Sequence, residues 1–552
     1  MRKASGAVVE VLPVEQRVDF SQLVELSEFV TAATIPNGAY VEGSIRLDYT
    51  NAEISVDVGG QPKAARAVDA SGNAVGVVDL DIRLDNRNHL VIAPGRPAFL
   101  QLDFDLAASN TVGDLNVDPV PVRLDTFIVA SVEPVDSREF RVRGPLVSVD
   151  QAASTYTIEL RPFHHRTARH GRFVVHTTAG TAWEIDGTTY TGAAGLAALA
   201  LKPEGTPTAA FGSFDLQSRT FTAQRVHAGT SLESPQLDVI HGNVIARTGD
   251  DLRVRGVTVV RRDGSVKFMR GDATVTVGPN TKVTKDGERG DSLGEEAISV
   301  GQSIHAFGQA SAADTTERVA LDATEGRVRL HLTRLFGLVK SANPGNLILD
   351  LHAIDRHRAA AFDFAGTGAS TATDADPRNY EVATGNLGLD RVPEGSPARV
   401  FGFVTPFGAA PPDFTGRTIV DFEEVLAVCV IGWGESGTSA PFSSMNSSGL
   451  VIDASNPEIG PRHHIVIGPR LIDITTLSTP VRFVPDGERR GTFAIAMAGT
   501  VEVFADFAEF QEKLAEKLAG ARAVGLTASG HFDGASGDFK TARLLVRLTP
   551  VS

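Results

Sequence analysis

The feature that most constrains the fold of this chain is an internal repetition that begins near residue 134. Four segments open with a glycine before an apolar run, and four segments close around a second glycine, which usually follows a phenylalanine. The opening glycines are Gly144, Gly242, Gly337 and Gly449, and the closing glycines are Gly212, Gly308, Gly402 and Gly530. Because these landmarks recur in the same order at a spacing of roughly 100 residues, the sequence predicts four diverged copies of one module.

Each module is predicted to be a small β-barrel. A glycine at a fixed place inside a strand indicates a bulge or a sharp bend, which allows short strands to close a barrel. Five or so such strands with one intervening helix are typical of an OB-like barrel. In the last module, Asp506–Ala521 carries Phe507, Phe510, Leu514 and Leu518 at helical spacing, so we expect an amphipathic helix packed on the core. The predicted modules 1 to 4 span residues 134–233, 234–332, 333–435 and 446–552.

Residues 1–133 show a different pattern, in which apolar and polar residues alternate. The runs Val78–Asp85 and Leu100–Leu106 both alternate in this way. Strands that are apolar on one face form antiparallel sheets, and two such sheets stack into a sandwich. Asp19 and Gln22 stand in capping-box position, so a short helix is expected over Phe20–Phe29. The predicted fold class is therefore all-β, with an N-terminal antiparallel β-sandwich followed by four tandem OB-like small β-barrel repeats.

Charge and composition argue against several classes of protein. The 552 residues carry a net charge of −15, which opposes nucleic-acid binding because that affinity depends on neutralising phosphates. No run reaches the roughly 18 apolar residues of a transmembrane helix. The one cysteine, Cys429, lies in an apolar run and has no partner in the chain. We therefore expect a buried thiol and no intramolecular disulfide.

At Ala93–Asn110 the sequence resembles a family of bacterial envelope lipoproteins whose N-terminal domain has no known function. The modules that follow resemble a second uncharacterised, OB-like domain family, marked by the opening glycine and the later apolar-Phe-Gly element. In the last copy Ser529 replaces that phenylalanine. The resemblance implies a protein of the bacterial periplasm or outer-membrane surface. Met1–Glu10 shows neither a signal peptide nor a lipidated cysteine, so a lipid anchor would require an upstream signal peptide.

Familiar catalytic motifs are absent from the sequence. It has no His-Glu-x-x-His, Cys-x-x-Cys, phosphate-binding Gly-Lys-Ser/Thr, Gly-x-Ser-x-Gly or EF-hand pattern. We therefore expect a non-catalytic cell-envelope protein that acts as a tandem-barrel scaffold or binds another envelope protein. Two alternatives stay open: a polysaccharide-binding protein, and a hydrolase that uses carboxylates or a metal.

Two groups of side chains are candidates for metal binding. Imidazoles suit zinc, and the first group is His164, His165 and His170, with a further pair at His463-His464. If such a pair lies on a strand, its two rings are expected on opposite faces and cannot share one ion. The second group is acidic and could attract calcium, although any solvent-facing strand shows the same alternation. Its members are Asp79, Asp81, Asp85, Asp103 and Asp105.

Aromatic and adhesion-like features have simpler interpretations. Trp183 and Trp433, with Tyr190 and Phe401, could form a stacking platform for sugars or bases. Tryptophan and phenylalanine also dominate small cores, so core packing is the prediction. Arg289–Asp291 spells the cell-adhesion tripeptide Arg-Gly-Asp, for which chance is a sufficient explanation in a chain rich in these residues.

Overall fold

The computed structural model divides the chain into two compact units. One comprises Met1–Glu10, Ile35–Ser137 and Val420–Ser552, and the other comprises Val11–Thr34 and Arg138–Ile419. The residues that the structure describes are 1–12, 14–20, 23, 26–32, 34–59, 61–69, 71–84, 89–93, 98–104, 109–124, 128–131, 139–162, 170–215, 217–232, 236–269, 271–288, 293–311, 319–355, 357–389, 392–420, 426–434, 436–467, 470–487 and 491–551.

The described part of residues 1–133 consists mainly of strands, which belong to several different sheets. In chain order the strands are β1 (Arg2–Lys3), β2 (Leu26–Glu28), β3 (Gly38–Asp48), β4 (Ile54–Val58), β5 (Gln61–Val68), β6 (Val77–Leu84), β7 (Leu90–Ile92), β8 (Gln101–Phe104), β9 (Asn110–Val112), β10 (Val120–Leu124) and β11 (Ile128–Ser131). β3 pairs antiparallel with β1, β6 and β7, while a second sheet has the order β4-β5-β10-β9. β10 runs parallel to β5, so the predicted all-antiparallel arrangement is wrong at that pair.

The alternating pattern of the N-terminal strands is confirmed on β6. Leu80, Ile82 and Leu84 are buried, while the alternate residues Asp79, Asp81 and Arg83 are exposed. The buried side chains belong to one apolar cluster of this unit. Period-two alternation therefore assigned the inward face of this strand correctly.

The helix expected over Phe20–Phe29 is wrong where the structure describes that segment. Leu26–Glu28 is strand β2, which pairs in parallel with the first strand of module 1. The carboxylate of Glu28 is buried there in ion pairs with Arg141 and Arg143. Backbone pairing and these ion pairs are available only in the folded chain, and they override a local capping pattern.

Modules 1 to 3 are built almost wholly from strands. Module 1 contains β12 (Glu139–Asp150), β13 (Thr155–Glu159), β14 (Arg172–His176), β15 (Ala182–Ile185), β16 (Thr188–Thr191), helix α1 (Ala193–Ala200), β17 (Pro207–Asp215) and β18 (Thr220–Ala228). Module 2 contains β19 (Asp238–Thr248), β20 (Asp251–Val260), β21 (Val266–Phe268), β22 (Ala273–Thr276), β23 (Lys282–Lys285), β24 (Ser303–Ala310) and β25 (Val319–Leu330). Module 3 contains β26 (Thr333–Asn343), β27 (Asn346–Ile354), β28 (His357–Arg358), β29 (Tyr380–Ala383), β30 (Pro397–Val404) and β31 (Phe414–Val420).

Each of these three modules closes into a five-stranded barrel. If the five principal strands are numbered in chain order, the order around every barrel is 1-2-3-5-4-1. These strands are β12, β13, β14, β17 and β18 in module 1, β19, β20, β22, β24 and β25 in module 2, and β26, β27, β29, β30 and β31 in module 3. Strand 3 runs parallel to strand 5 in each. The predicted OB-like barrel is therefore confirmed for three copies.

The repeated closing glycine marks a close approach between strands 4 and 5. A Cβ built on Gly212 or Gly402 would lie 2.0 Å from a carbonyl oxygen of strand 5, and one built on Gly308 would lie 2.1 Å from the equivalent oxygen. The strand register shifts at this glycine in modules 1 and 2. No side chain fits at these positions, which explains the conserved spacing within the chain and confirms the predicted bulges.

Module 4 begins earlier than the sequence predicts. Its first strand is β32 (Ala427–Trp433), which pairs with β40 (Ala521–Phe532) in the register that joins strands 1 and 4 of the other modules. The predicted start at 446 and the assignment of residues up to 435 to module 3 are therefore wrong. Gly449 lies instead in an added hairpin. The other elements are β33 (Phe442–Asn446), β34 (Gly449–Ile452), β35 (Ile459–Ile467), β36 (Arg470–Asp473), β37 (Arg482–Pro485), β38 (Thr492–Met497), β39 (Thr500–Phe504), α2 (Phe507–Leu518) and β41 (Asp538–Pro550).

Module 4 also differs in how its sheet ends. Its strands belong to a 14-stranded sheet that continues through β39 into β6 of the N-terminal domain, and no pairing of described strands closes it into a separate barrel. Module 4 still has the strand order of the other copies, because β35, β32, β40, β41 and β37 pair in that sequence and β37 runs parallel to β41. The predicted helix is confirmed as α2, where Asp506 caps the first turn and Phe507, Phe510 and Leu514 are buried.

Apolar side chains fill the modules and join modules 2 and 3. Trp183 and Trp433 are 2% and 0% exposed, so the prediction that they pack in cores is confirmed. Phe403 of module 3 lies in the core of module 2, and Ile245 and Val300 of module 2 lie in the core of module 3. Modules 2 and 3 therefore share apolar packing and do not simply follow each other along the chain.

The described residues also include short 3-10 turns between strands. They lie at Gly229–Ser231, Glu295–Ala297, Ala359–Ala361, Pro377–Asn379 and Ile474–Thr476. No α-helix in the described ranges is both long enough and apolar enough to cross a bilayer.

Candidate functional site

Where modules 1 and 2 meet, a bidentate ion pair is buried. Arg329 on β25 and Glu184 on β15 are 1% and 5% exposed. The guanidinium donates to both carboxylate oxygens, with Nε 2.7 Å from Oε2. Arg329 Nη2 also donates to the carbonyl oxygen of Ser231 at 2.7 Å, and Thr284 Oγ1 donates to Glu184 Oε2 at 3.3 Å. Both charges are thus paired inside the protein. Removing either partner would leave the other charge buried without compensation.

A chain of imidazoles and one carboxylate continues from this pair. The two oxygens of Asp286 each lie 3.0 Å from an imidazole nitrogen, one of His227 and one of His331. His331 Nε2 lies 2.9 Å from Nδ1 of His305. The ring of His241 contacts the ring of His305 edge to face, with centroids 4.4 Å apart. The junction therefore contains a continuous set of titratable groups.

The protonation of these groups is set by burial and by their neighbours. Burial alone would raise the pKa of Glu184, but the charge and hydrogen bonds of Arg329 outweigh it and lower that pKa to about 2. Burial would likewise raise the pKa of Asp286, but the neighbouring guanidinium and imidazole groups hold it well below its usual range. Burial, and then the charge of Arg329, lowers the pKa of His227. Burial, and then the neighbouring histidines, lowers the pKa of His305 much further.

The two modules meet through equivalent positions. The strand pairing makes His227 of module 1 equivalent to Arg329 of module 2, and Glu184 equivalent to Thr284. Each of these residues contacts its own equivalent: His227 Nδ1 lies 3.4 Å from Arg329 Nη1, and Thr284 donates to Glu184. Self-contact of this kind defines an isologous interface, as in a two-fold dimer. Modules 1 and 2 therefore pack like the two halves of a homodimer within one chain.

Contacts farther from the centre of the junction are reciprocal. Arg225 of module 1 and Arg327 of module 2 are equivalent, and each lies over the ring of the phenylalanine before its own closing glycine, at 5.3 and 4.1 Å from the centroid. Each arginine also reaches the Asp-Gly turn of the other module. A Cβ on Gly287 would lie 3.3 Å from Arg225, and one on Gly187 would lie 3.0 Å from Arg327. The pseudo-two-fold relation thus extends across the junction.

The polar groups of the junction contact one another across the boundary between modules 1 and 2. Asp286 and His331 resemble the orienting pair of a catalytic triad, but the next group is His305 and not a hydroxyl or a thiol. A cavity lined by Glu184, His227 and Asp286 measures about 10 Å³, which is the lower limit for one water molecule. Asp286 contacts both His227 and His331 beside this cavity.

The sequence prediction did not include this junction. Its residues are far apart in the chain and carry no motif. One signal was present: Asp186-Gly187 and Asp286-Gly287 follow equivalent strands roughly 100 residues apart, and charged residues alternate in the last strand of both modules. Charges repeated at the same place in two copies are consistent with a shared contact.

The first predicted metal group does not form a described site. His164 and His165 lie outside the described residues. His170 is buried, and its Nε2 lies 3.2 Å from Nε2 of Gln16. The described member of this group therefore sits among structural contacts.

The acidic group is not gathered around a common point in the described residues. Asp79 accepts two hydrogen bonds from Arg46 on the neighbouring strand. Asp103 pairs with Arg543 of module 4. Asp81 is exposed on β6. The remaining two members, Asp85 and Asp105, lie outside the described residues, and nothing in the described part brings three of these acids together.

The second histidine pair does form a cluster. His463, His464 and Asp473 are the one described group of at least three potential metal ligands whose ligand atoms converge, all within 4.8 Å of one another. The two rings stack with centroids 4.6 Å apart and planes inclined by 17°. The expectation that neighbouring histidines on a strand lie on opposite faces is therefore wrong at this pair.

The remaining candidates are placed as follows. Cys429 is fully buried, as predicted, and burial strongly raises the pKa of its thiol. Tyr190 and Phe401 are half-buried. Arg289–Asp291 lies outside the described residues.

No protein-family model matches the chain, and no curated protein and no solved structure matches it.

Proposed function

We propose that this chain is a non-catalytic scaffold in which OB-like barrels are held at a fixed relative orientation to present a binding surface to another protein of the bacterial cell envelope. The isologous junction of modules 1 and 2 carries the proposal. Its charges are paired, and they are buried with Arg329 1% exposed. Interfaces between mobile domains are more polar and wetter than this junction. A shift of one module that left Arg329 or Glu184 buried without its counter-ion would cost several kcal/mol.

Fixed orientation can be tested by measuring distances between spin labels. Ala153 in module 1 and Thr248 in module 2 are exposed and can be replaced by cysteine, while Cys429 is buried and will stay unlabelled. Pulsed electron double resonance on Ala153→Cys/Thr248→Cys should give one narrow distance distribution. The same pair with Glu184→Gln should give a broader one. A broad or multi-peaked distribution in the parent protein would overturn the scaffold proposal.

The envelope location rests on the resemblance of Ala93–Asn110 and needs its own test. The gene with its natural upstream sequence should be expressed in its own host, followed by separation of cytoplasmic and envelope fractions. Recovery in the envelope fraction supports the location, and recovery in the cytoplasm contradicts it. A glycan array then addresses the polysaccharide-binding alternative; retained glycans would favour that function over protein binding.

A further inference from the structure

The β35–β36 hairpin of module 4 brings two imidazoles and one carboxylate together at the protein surface. His464 on β35 is the cross-strand partner of Asp473 on β36, so their side chains share one face of the sheet. His463 joins them, with Nε2 3.3 Å from Asp473 Oδ1. The side chains of His463 and Asp473 are 20% and 37% exposed, so an ion from solvent can reach them.

A bulge explains how His463 reaches the same face as His464. The register between β32 and β35 shifts between Ile431 and Trp433, which lie opposite His463 and Ile459. Extra residues on β35 are thus accommodated just before His463. Bulges of this kind re-aim the side chains beside them. The alternation of an ideal strand is broken at the point where the two rings need to meet.

The ring of His463 is oriented as the ring of a metal ligand would be. Its Nδ1 lies 2.6 Å from the carbonyl oxygen of Gly460, which makes Nδ1 the protonated nitrogen of the neutral ring. Metal-bound histidines usually donate their second ring N–H to such an acceptor. Nε2 of the ring then lies 3.3 Å from Asp473 Oδ1.

Asp473 is also held in place by its own hydrogen bonds. Oδ1 accepts from the backbone N–H of Thr475 at 2.8 Å and from its hydroxyl at 2.6 Å. A carboxylate that is held by such hydrogen bonds is oriented in advance for a metal ion, as metal-binding carboxylates are.

The geometry points to a binding site for a divalent transition-metal ion, with zinc as the best match, held by His463, His464 and Asp473. Two ligand atoms about 2.0–2.1 Å from a tetrahedral zinc lie roughly 3.3 Å apart, which matches the distance between His463 Nε2 and Asp473 Oδ1. Calcium does not fit this set, because it requires six to eight oxygen ligands. Three protein ligands leave a fourth position for water.

The experiment is a zinc titration of the full-length protein by calorimetry, with variants His463→Gln, His464→Gln and Asp473→Asn. The parent protein should bind one equivalent with micromolar or tighter affinity. Each variant should bind more weakly by at least the roughly 10–100-fold that loss of an outer-shell partner costs, because it removes a ligand. His352→Gln is the matched control, because His352 lies 3.7 Å from Asp350 as an exposed His-Asp pair, and no third ligand joins it among the described residues. That variant should bind zinc like the parent.

Two further measurements separate this site from other histidines and from loss of folding. The double variant His164→Gln/His165→Gln should keep the bound equivalent. Cobalt added to the parent should give the visible d–d absorption of a tetrahedral ion, and zinc should displace it. Absence of binding at micromolar zinc would overturn the site. So would unchanged affinity in His464→Gln and Asp473→Asn whose melting temperatures match the parent.

Discussion

His227 Nδ1 and Arg329 Nη1 lie 3.4 Å apart, although the two residues occupy the same position in two different modules. Identical copies could not make this contact well, since two arginines would repel each other. The two modules instead carry different residues at this position. Module 1 has the neutral imidazole of His227, module 2 has the guanidinium of Arg329, and Glu184 neutralises that guanidinium. The position equivalent to Glu184 became Thr284, which donates to it.

Glu184→Gln should strongly destabilise the unit that contains modules 1 to 3. The substitution leaves the charge of Arg329 buried without its counter-ion, and breaking such a pair costs about 3–5 kcal/mol. Urea denaturation followed by tryptophan fluorescence measures the loss, since Trp183 lies beside Glu184. Asp79→Asn, which breaks the exposed pair with Arg46, serves as the control and should change the midpoint little. Equal effects of the two substitutions would contradict the buried-pair argument.

Replacing both members of the pair should cost less than replacing one. Glu184→Met/Arg329→Met removes both charges and fills similar volume with apolar atoms, and such exchanges are often neutral or stabilising. A double-mutant cycle with Glu184→Met and Arg329→Met should therefore give a coupling energy in favour of the pair that is at least as large as one single loss, about 3 kcal/mol or more. If the two single losses simply add, the residues are not coupled as the structure shows.

Gly402→Ala should destabilise module 3. The added Cβ would lie 2.0 Å from the carbonyl oxygen of Thr415, so strand 4 or strand 5 must move. Overpacking of this kind costs about 1–3 kcal/mol or more. Gly388→Ala in the same module is the matched control, because nothing lies within 4 Å of its Cβ position. The melting temperatures of the two variants, measured by thermal unfolding, test this prediction. A Gly402→Ala protein as stable as the control would contradict the explanation for the repeated glycine.

Stability of this unit should fall as the solution is acidified below about pH 6.5. His227 and His305 have lowered pKa values, so the unfolded chain takes up protons that the folded chain refuses. Below about pH 4.5, Glu184 (pKa about 2) and Asp286 cause a second loss of stability, because their pKa values are also lower in the folded chain than in the unfolded chain. Their stabilisation is complete above the unfolded carboxyl pKa.

Urea midpoints at several pH values between 7.5 and 4 should show this decline. Asp413 opposes it, because burial raises its pKa to about 6 and the folded chain therefore gains a proton there. The decline should consequently be steeper in Asp413→Asn. His305→Gln should reduce the loss of stability that begins below about pH 6.5, because one of the two histidines that cause it is removed. A midpoint that rises as the pH falls from 7 to 5 would contradict the assigned shifts.

Cys429 should be inert in the folded protein. Its side chain is fully buried, and burial raises the pKa of the thiol, so neither access nor thiolate is available to an alkylating reagent. Mass spectrometry after iodoacetamide treatment should show no modification without denaturant and complete modification in guanidinium. Rapid labelling of the native protein would show that β32 opens.

The sequence predicted those parts of the fold that depend on local chemistry. Glycines at matched positions indicated bulged barrel strands, because only a residue without a Cβ fits beside the carbonyl of strand 5. Asp506 and the apolar spacing after it indicated α2. The start of module 4 was predicted wrongly because Gly449 also opens a strand, although that strand belongs to an added hairpin. The first strand of the module is β32, which carries Ile431 and no glycine at the position of the opening glycine.

The candidate sites were harder to predict because their residues meet only after folding. Glu184 and Arg329 are 145 residues apart in the chain, and nothing local links them. His463-His464 was recognised as a pair, but an ideal strand would separate the rings. The bulge before His463 has no sequence signal comparable to the repeated glycines, and Asp473 comes from the next strand.

An interface that is complementary to itself is saturated once two copies have joined. Module 3 therefore cannot extend the row by the contact that unites modules 1 and 2, and it is attached by merged cores through Ile245 and Phe403 instead. Modules 1 and 2 are thus a closed pair and not the start of a periodic solenoid. Deleting module 1 or module 2 alone would leave the buried charge on the other module without its counterpart.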